Sequence, residues 1–368
     1  MLKINRKRIV LIIITLAFFG FGTSTYANNM KETVEKHEQL PTEIGISVLK
    51  EMLDQQKEGF KSGNPLLNSQ ISKLTETDEA VLLYYAMVDV DKLPLTDFTY
   101  SIDHVDVYLD DKDQMIVEGY IIRNFIFGKG NDQFETSLGD NIAVRIDGEK
   151  DKFLQNGIIN EMSKVSLTQN TAENKQLISK DEFLKRYQEE VDNDNQQGED
   201  TDFESEIENE EHAQLAYTYK GSVAAYYALK YALNPNKKYK LYRADCTNFV
   251  SQALHYGGIP HFTKWKPYTN AWINAGSFRN YIRESGGLKM KTVKDTYANV
   301  KLGDVYHYDT RNSIFLPIPD GWMEHTAIVT SLQNKKILVS YHSNNRKNVP
   351  REYYTSVEGG KRYLSSIR

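Results

Sequence analysis

Charged residues divide the chain into three parts, and this division constrains its organisation more than any other feature. Residues 1–27 carry four bases and no acid, whereas residues 28–212 carry 18 Lys or Arg and 41 Asp or Glu. Residues 213–368 reverse the balance, with 23 bases and 9 acids. Net charges of +4, −23 and +14 in successive stretches predict separate modules with different partners.

The first 27 residues have the three parts of a secretory signal peptide. A basic start precedes an apolar run over residues 9–22, and residues 25–27 resemble a cleavage site that ends at Ala27. The alternative is an uncleaved membrane anchor, but a run of 14 residues is short for a span. We therefore predict a secreted, cell-wall-associated protein that is not inserted in a membrane after cleavage.

Residues 28–190 are predicted to form an α+β accessory domain whose role the sequence does not reveal. Apolar residues have helical spacing over 46–60, and they alternate with polar residues over 105–109, 115–121 and 142–146. The acidic turn at 110–113 makes the first two alternating segments a hairpin.

An acidic linker is predicted to follow this domain. Ser179 and Glu182 fit a capping box at the start of a helix that runs to about residue 191. Residues 191–211 then hold ten acids and no base, which predicts a disordered linker. A second domain would occupy residues 212–368.

Cys246 is the single cysteine of the chain, so the sequence excludes an intramolecular disulfide framework and a cysteine-rich metal site. Apolar residues at 249, 250, 253 and 254 recur with helical spacing, and Asp245 is a favoured N-cap type. Cys246 should therefore lie in the first turn of a buried helix, where the helix dipole favours a thiolate nucleophile. The alternative is a buried structural thiol.

His325 is the candidate general base, because it begins a segment over 325–331 that is typical of a strand. A turn at 333–336 would return the chain along residues 337–342. One turn centre places His325 opposite His342, and a shift by one residue places it opposite Asn344. Either side chain could hold the His325 ring in its productive tautomer.

These motifs resemble those of the family named Putative amidase domain, found in secreted Gram-positive proteins and grouped with papain-like CHAP and NlpC-type cell-wall hydrolases. The resemblance covers residues 212–368 and rests on residues 245–254, Gly257-Gly258, Gly303-Asp304-Val305 and residues 325–329. It implies an α+β papain-like domain in which a nucleophile helix packs on an antiparallel sheet. It also implies Cys246 as nucleophile, His325 as base and a polar third residue on the next strand, His342 or Asn344.

Other candidate residues surround this motif. Asp245 is predicted to cap the helix, with polarisation of the site as the alternative. Four aromatic residues could line a substrate cleft or pack in the core: Trp265, Trp272, Tyr308 and Trp322. No metal or other cofactor is expected, because no histidine pair has the i, i+4 spacing of a helical metal site.

The sequence therefore predicts a secreted cysteine-dependent amide hydrolase that acts on peptidoglycan peptide or muramoyl-peptide amide bonds. The basic last part suits an anionic wall polymer, and the chain shows no nucleic-acid recognition motif. Two alternatives stay open. The first is a cysteine peptidase or amidase that acts on proteins or small amides, and the second is a non-catalytic wall-binding module.

Overall fold

The structure is a computed structural model that describes residues 42–110, 114–146, 165–168, 178–196, 217–285, 287–310 and 321–367. The predicted signal peptide and most of the predicted acidic linker lie outside these ranges. None of the helices within them has the length and apolar character that a membrane span requires.

Helices and strands alternate irregularly along the chain. The α-helices are α1 (Thr42–Ser62), α2 (Ser69–Ser72), α3 (Glu79–Tyr85), α4 (Lys180–Gln196), α5 (Gly221–Tyr231), α6 (Cys246–Tyr256), α7 (Asn270–Ile273), α8 (Ala275–Ser285) and α9 (Arg351–Glu358). The strands are β1 (Leu95–Leu109), β2 (Met115–Phe127), β3 (Phe134–Ile146), β4 (Val165–Thr168), β5 (Met290–Val293), β6 (Val305–Asp309), β7 (His325–Gln333), β8 (Lys336–Tyr341), β9 (Asn345–Pro350) and β10 (Lys361–Ile367).

All ten strands belong to one antiparallel sheet, so the predicted α+β class is confirmed. The strand order is β1-β2-β3-β9-β8-β7-β6-β10-β5, and β4 pairs with β3. The predicted hairpin is present, with Leu109 opposite Met115. Helix α4 begins where predicted, since the Glu182 amide donates to the Ser179 hydroxyl at 3.3 Å, but it continues to Gln196.

The predicted separation of an N-terminal domain is not confirmed, because the sheet is continuous across the proposed boundary. Strand β3 pairs with β9, placing Ser137 opposite Lys347 and Gly139 opposite Asn345. One hydrophobic core also draws on both parts, through residues that include Phe60, Phe98, Phe125, Tyr306, Val339 and Tyr353. A free β9 edge would expose unpaired backbone groups, and β3 satisfies them.

The opposite charges of the two parts meet in this structure. Five described ion pairs join them, and each pairs an acid before residue 212 with a base after it: Asp91–Lys336, Glu79–Arg346, Asp140–Arg346, Glu135–Lys347 and Glu190–Arg362. The two oppositely charged parts therefore pair with each other within the chain, and different outside partners for them stay a prediction.

The two faces of the sheet carry different helices around β7. Helices α5 and α6 cover one face, where Ile328 and Val305 join their apolar residues in a second core. The other face holds Ala327 and Val329 together with Tyr353 of α9. Side chains alternate along a strand, so consecutive residues of β7 belong to different cores.

Candidate functional site

Cys246 is the first residue of α6, as predicted. Asp245 occupies the N-cap position, and its carbonyl oxygen accepts the first helical hydrogen bond from the Phe249 amide at 2.9 Å. The apolar face of α6 packs against β7, which draws the start of the helix into the molecule. The Cys246 side chain is consequently buried, with 3% of its surface exposed.

Burial raises the pKa of the Cys246 thiol, although the helix start was expected to lower it. Hydrogen bonds from the backbone and hydroxyl groups of Thr326 and Thr247 act in the opposite direction but do not outweigh burial. A raised pKa favours the neutral thiol of Cys246 over the thiolate near neutral pH.

The contacts of Thr326 place β7 beside the thiol. The Thr326 hydroxyl lies 3.1 Å from the Thr247 hydroxyl, so Thr326 points towards α6. His325 precedes it and points to the other face, because neighbouring side chains of a strand alternate. There the His325 ring stacks on Tyr354 of α9, with ring centroids 4.1 Å apart and an interplanar angle of 12°.

Tyrosines surround His325, and sequence reasoning missed two of them. Tyr341 meets the His325 ring edge-on at 4.6 Å, and Tyr308 lies at 5.7 Å. Burial chiefly raises the pKa of the Tyr354 phenol, and the charge of Glu358 acts in the same direction. Cys246 and His325 are related through their chain neighbours, because the Thr247 and Thr326 hydroxyls lie 3.1 Å apart. No local pattern marked Tyr354, since its role depends on how α9 packs.

The turn between β7 and β8 agrees with one of the two predicted registers, but the pairing changes along the strands. The turn pairs Gln333 with Lys336, which alone would place His325 opposite Asn344. A bulge between Val329 and Ser331 then shifts the pairing, so that Ile328 lies opposite Ser340. Strand β8 ends at Tyr341, so His342 and Asn344 lie in the turn before β9 and not on a strand opposite His325. The His342 ring packs on Phe249 of α6, whereas the His325 ring stacks on Tyr354 of α9.

Neither candidate for the third residue therefore contacts His325 in this register. His342 bonds Asp245 and the Tyr231 carbonyl, at 2.7 and 2.8 Å, and stacks on Phe249 with centroids 4.1 Å apart. Asn344 is exposed and donates to a Glu79 carboxylate oxygen at 3.2 Å. These contacts engage His342 and Asn344 elsewhere, and orientation of the base by either residue stays a prediction.

Asp245 occupies the cap position without making a side-chain cap hydrogen bond. Its Oδ1 accepts from the Tyr242 amide at 3.0 Å and from Asn248 Nδ2 at 2.8 Å. Asn248 Oδ1 in turn accepts from the indole of Trp272 at 3.0 Å. A buried polar network therefore anchors the residue that precedes the thiol.

The four candidate aromatic residues have different environments. Trp265 and Trp272 are fully buried and pack on each other at 4.6 Å, which corrects their assignment to a substrate cleft. Tyr308 is also fully buried, beside His325. Trp322 is 45% exposed, three residues before His325, and its ring lies against Gly276 at the start of α8. It alone of the four remains a candidate for contact with substrate.

A metal site does not form in the described ranges, where no three His, Cys, Asp or Glu side chains are grouped to hold an ion. His255 and His261 stack with ring centroids 3.9 Å apart, and His255 Nδ1 lies 2.8 Å from the Ile259 carbonyl. The site chemistry of the described residues is that of a thiol, an imidazole and phenols.

Alkylation should report the protonation state of Cys246. We expect iodoacetamide to label it at pH 7 at least about tenfold more slowly than free cysteine, because the thiol is buried and its pKa is raised. The rate should rise steadily into alkaline pH when labelling is followed by mass spectrometry. Labelling in urea is the control, since this is the single cysteine of the chain. A plateau of fast labelling near pH 7 would instead indicate a stable thiolate.

Comparison with known proteins places this site in a family. Residues 218–365 match the family described as Putative amidase domain. The chain is 47% identical to the uncharacterized protein YjcM of Bacillus subtilis (strain 168), over 93% of each protein. YhbB, an uncharacterized protein of the same strain, is 31% identical over 45% of this chain and 53% of its own length. No solved structure matches the chain, so the papain-like relationship stays a prediction.

Proposed function

Because the chain belongs to the protein family of Bacillus subtilis YjcM and carries a Putative amidase domain at residues 218–365, we propose that it is a secreted cysteine-dependent amide hydrolase. One observation carries the cysteine mechanism. Cys246 opens a buried helix, and its thiol lies 3.7 Å from the Thr247 hydroxyl, which in turn lies 3.1 Å from the hydroxyl of Thr326, the neighbour of His325 at the start of β7. A thiol at a helix start beside a histidine-bearing strand suits nucleophilic catalysis.

The proposed reaction proceeds through an acyl-enzyme. His325 accepts the thiol proton as Cys246 Sγ attacks the carbonyl carbon, and the amide C–N bond breaks when His325 returns that proton to the leaving amine. Water then cleaves the thioester, which regenerates the thiol and releases a carboxylic acid. Amide groups at the start of α6 can stabilise the oxyanion, because the positive end of the helix dipole lies there.

Peptidoglycan is the proposed substrate, cleaved at its peptide or muramoyl-peptide amide bonds. The support is the apolar segment that predicts export, together with the excess of bases over acids after residue 212. Four of these bases pair with acids of the first part in the five ion pairs, which leaves the others for an anionic wall polymer.

The test is mass spectrometry of soluble products from purified peptidoglycan, with wild-type protein beside the Cys246→Ala variant. Fragments that need the thiol support the proposal, and their masses identify the bond. If peptidoglycan gives no fragments but a peptide library is cleaved, the result would favour the peptidase alternative. The protein should span residues 28–368, because a fragment from residue 212 would lose β3 and half of the shared core.

Trp322 is the proposed contact with substrate. We expect Trp322→Ala to raise KM about fivefold with kcat within about twofold, because an aromatic stacking contact contributes about 1 kcal/mol. Trp322→Phe should recover most of the loss. The matched control is Tyr256→Ala, which removes a 55% exposed aromatic residue from the far end of α6. Equal effects of the two alanine variants would contradict a substrate contact at Trp322.

A second candidate is a non-catalytic wall-binding module, and the burial of Cys246 favours it. A thiol that is 3% exposed with a raised pKa is typical of an unreactive cysteine. Retention of the protein on insoluble peptidoglycan, without soluble products and with an inert thiol, would support this candidate over hydrolysis.

A further inference from the structure

Both ring nitrogens of His342 face hydrogen-bond acceptors. Nε2 lies 2.8 Å from the Tyr231 carbonyl oxygen, which has no proton, so Nε2 must donate. Nδ1 lies 2.7 Å from Asp245 Oδ2. We infer that His342 is an imidazolium paired with the Asp245 carboxylate, and that this buried pair positions the start of α6 for Cys246.

The contacts of Asp245 favour the ionised carboxylate over a carboxylic acid that donates to a neutral ring. Its Oδ1 already accepts from the Tyr242 amide and from Asn248 Nδ2. Several donors directed at one carboxyl group stabilise its charged form. With the carboxylate charged, Nδ1 must carry a proton, and both ring nitrogens then donate.

In these surroundings, the Asp245 carboxylate is the group that compensates the positive charge of His342. His342 and Asp245 are each 2% exposed, and Phe249 covers the imidazole ring. Burial chiefly raises the pKa of the phenols of Tyr227 on α5 and Tyr242, so both are neutral near pH 7. Among the hydrogen-bond partners of His342 in the described chain, Asp245 is the one acid. A buried charge needs such a partner, because an unpaired one is costly.

The pair turns the Asp245 carboxylate away from the helix start. An aspartate at the N-cap usually accepts from the first-turn amides, but here no such bond forms. The first-turn amides beside Cys246 therefore receive no hydrogen bond from this carboxylate. A carboxylate on those amides would place a negative charge beside the nucleophile, which disfavours the thiolate. His342 is therefore a positioning residue. This role rests on the proposed function, whereas the charge of His342 is independent of that function.

Nitrogen-15 NMR of the histidine rings tests the charge directly on the protein from residue 28 to 368. At pH 7.5 we expect both ring nitrogens of His342 to carry protons. In Asp245→Asn the amide can donate to Nδ1, so a proton should remain on Nε2 alone. The two variants Asp245→Asn and His342→Gln identify the signal. A single protonated nitrogen in the wild-type protein would overturn the ion pair.

Alkylation of Cys246 tests the positioning role without any substrate. His342→Gln should slow labelling at pH 8 about tenfold and move the pH profile upward by about one unit, because the Asp245 charge is then uncompensated. The double variant His342→Gln with Asp245→Asn should recover most of the wild-type rate, since it has no carboxylate to disfavour the thiolate. Failure of this recovery, or an unchanged profile in His342→Gln, would overturn the positioning role even if no turnover is ever found.

Discussion

The Cys246→Ala protein is expected to lose amide hydrolysis by about 10⁶-fold, the scale seen when the nucleophile of a catalytic set is removed. Alanine cannot form the acyl-enzyme, so no later step can follow. The fold should survive, because removing one buried heavy atom costs about 1 kcal/mol of unfolding free energy. Steady-state turnover of peptidoglycan and thermal unfolding measure the two effects.

Three further variants separate the nucleophile from its surroundings. Cys246→Ser keeps the shape of the side chain but should leave little activity, because a hydroxyl is a poorer nucleophile at the same pH. His325→Ala should lose activity as well, whereas His261→Ala changes an exposed histidine and should not. Activity retained in both Cys246 variants would exclude the cysteine mechanism.

The Arg346→Met protein is expected to lose about 3 kcal/mol of stability, because Glu79 loses its buried partner and Asp140 keeps only Arg123. The Arg346 guanidinium is 2% exposed and bonds Glu79 at 2.7 Å, Asp140 at 2.9 Å and the Gly139 carbonyl at 3.0 Å. These contacts join α3 and β3 to β9. Chemical denaturation measures the change in the free energy of unfolding.

Lys347→Met is the matched control for Arg346. Lys347 lies next to it on β9 and pairs with Glu135 at 2.9 Å, but Lys347 is 24% and Glu135 47% exposed. An exposed pair of this kind contributes about 0–1 kcal/mol, so the control should change stability little. Equal losses in the two variants would show that burial of Arg346 does not matter.

The Arg346 cluster also reaches the candidate site. The Tyr353 hydroxyl donates to the Glu79 carbonyl at 3.0 Å, and the next residue, Tyr354, stacks on His325. Loosening the contact between α3 and α9 should therefore disturb the surroundings of the base. The first part of the chain thus contributes to the stability of the site, although it carries no recognised chemistry of its own.

Local patterns determined the elements that carry the chemistry. The spacing of apolar residues after Cys246 placed it at the start of a buried helix, and alternation placed His325 on a strand. The acidic turn after Leu109 predicted the β1–β2 hairpin. These features depend on hydrogen bonds and apolar periodicity within about a dozen consecutive residues, and such a pattern is visible in the sequence itself.

Tertiary structure decided the rest, because the deciding contacts join residues far apart in the chain. The bulge near Thr330 altered the register by one residue, and the turn after β8 placed His342 against Phe249 of α6 instead of beside His325. Burial outweighed the helix dipole at Cys246, so the pKa of the thiol rises. The charge composition showed an acidic stretch and a basic stretch. The pairing of β3 with β9 brought these two stretches into contact. Side-chain partners across a sheet depend on register and packing, and neither is encoded in a local pattern.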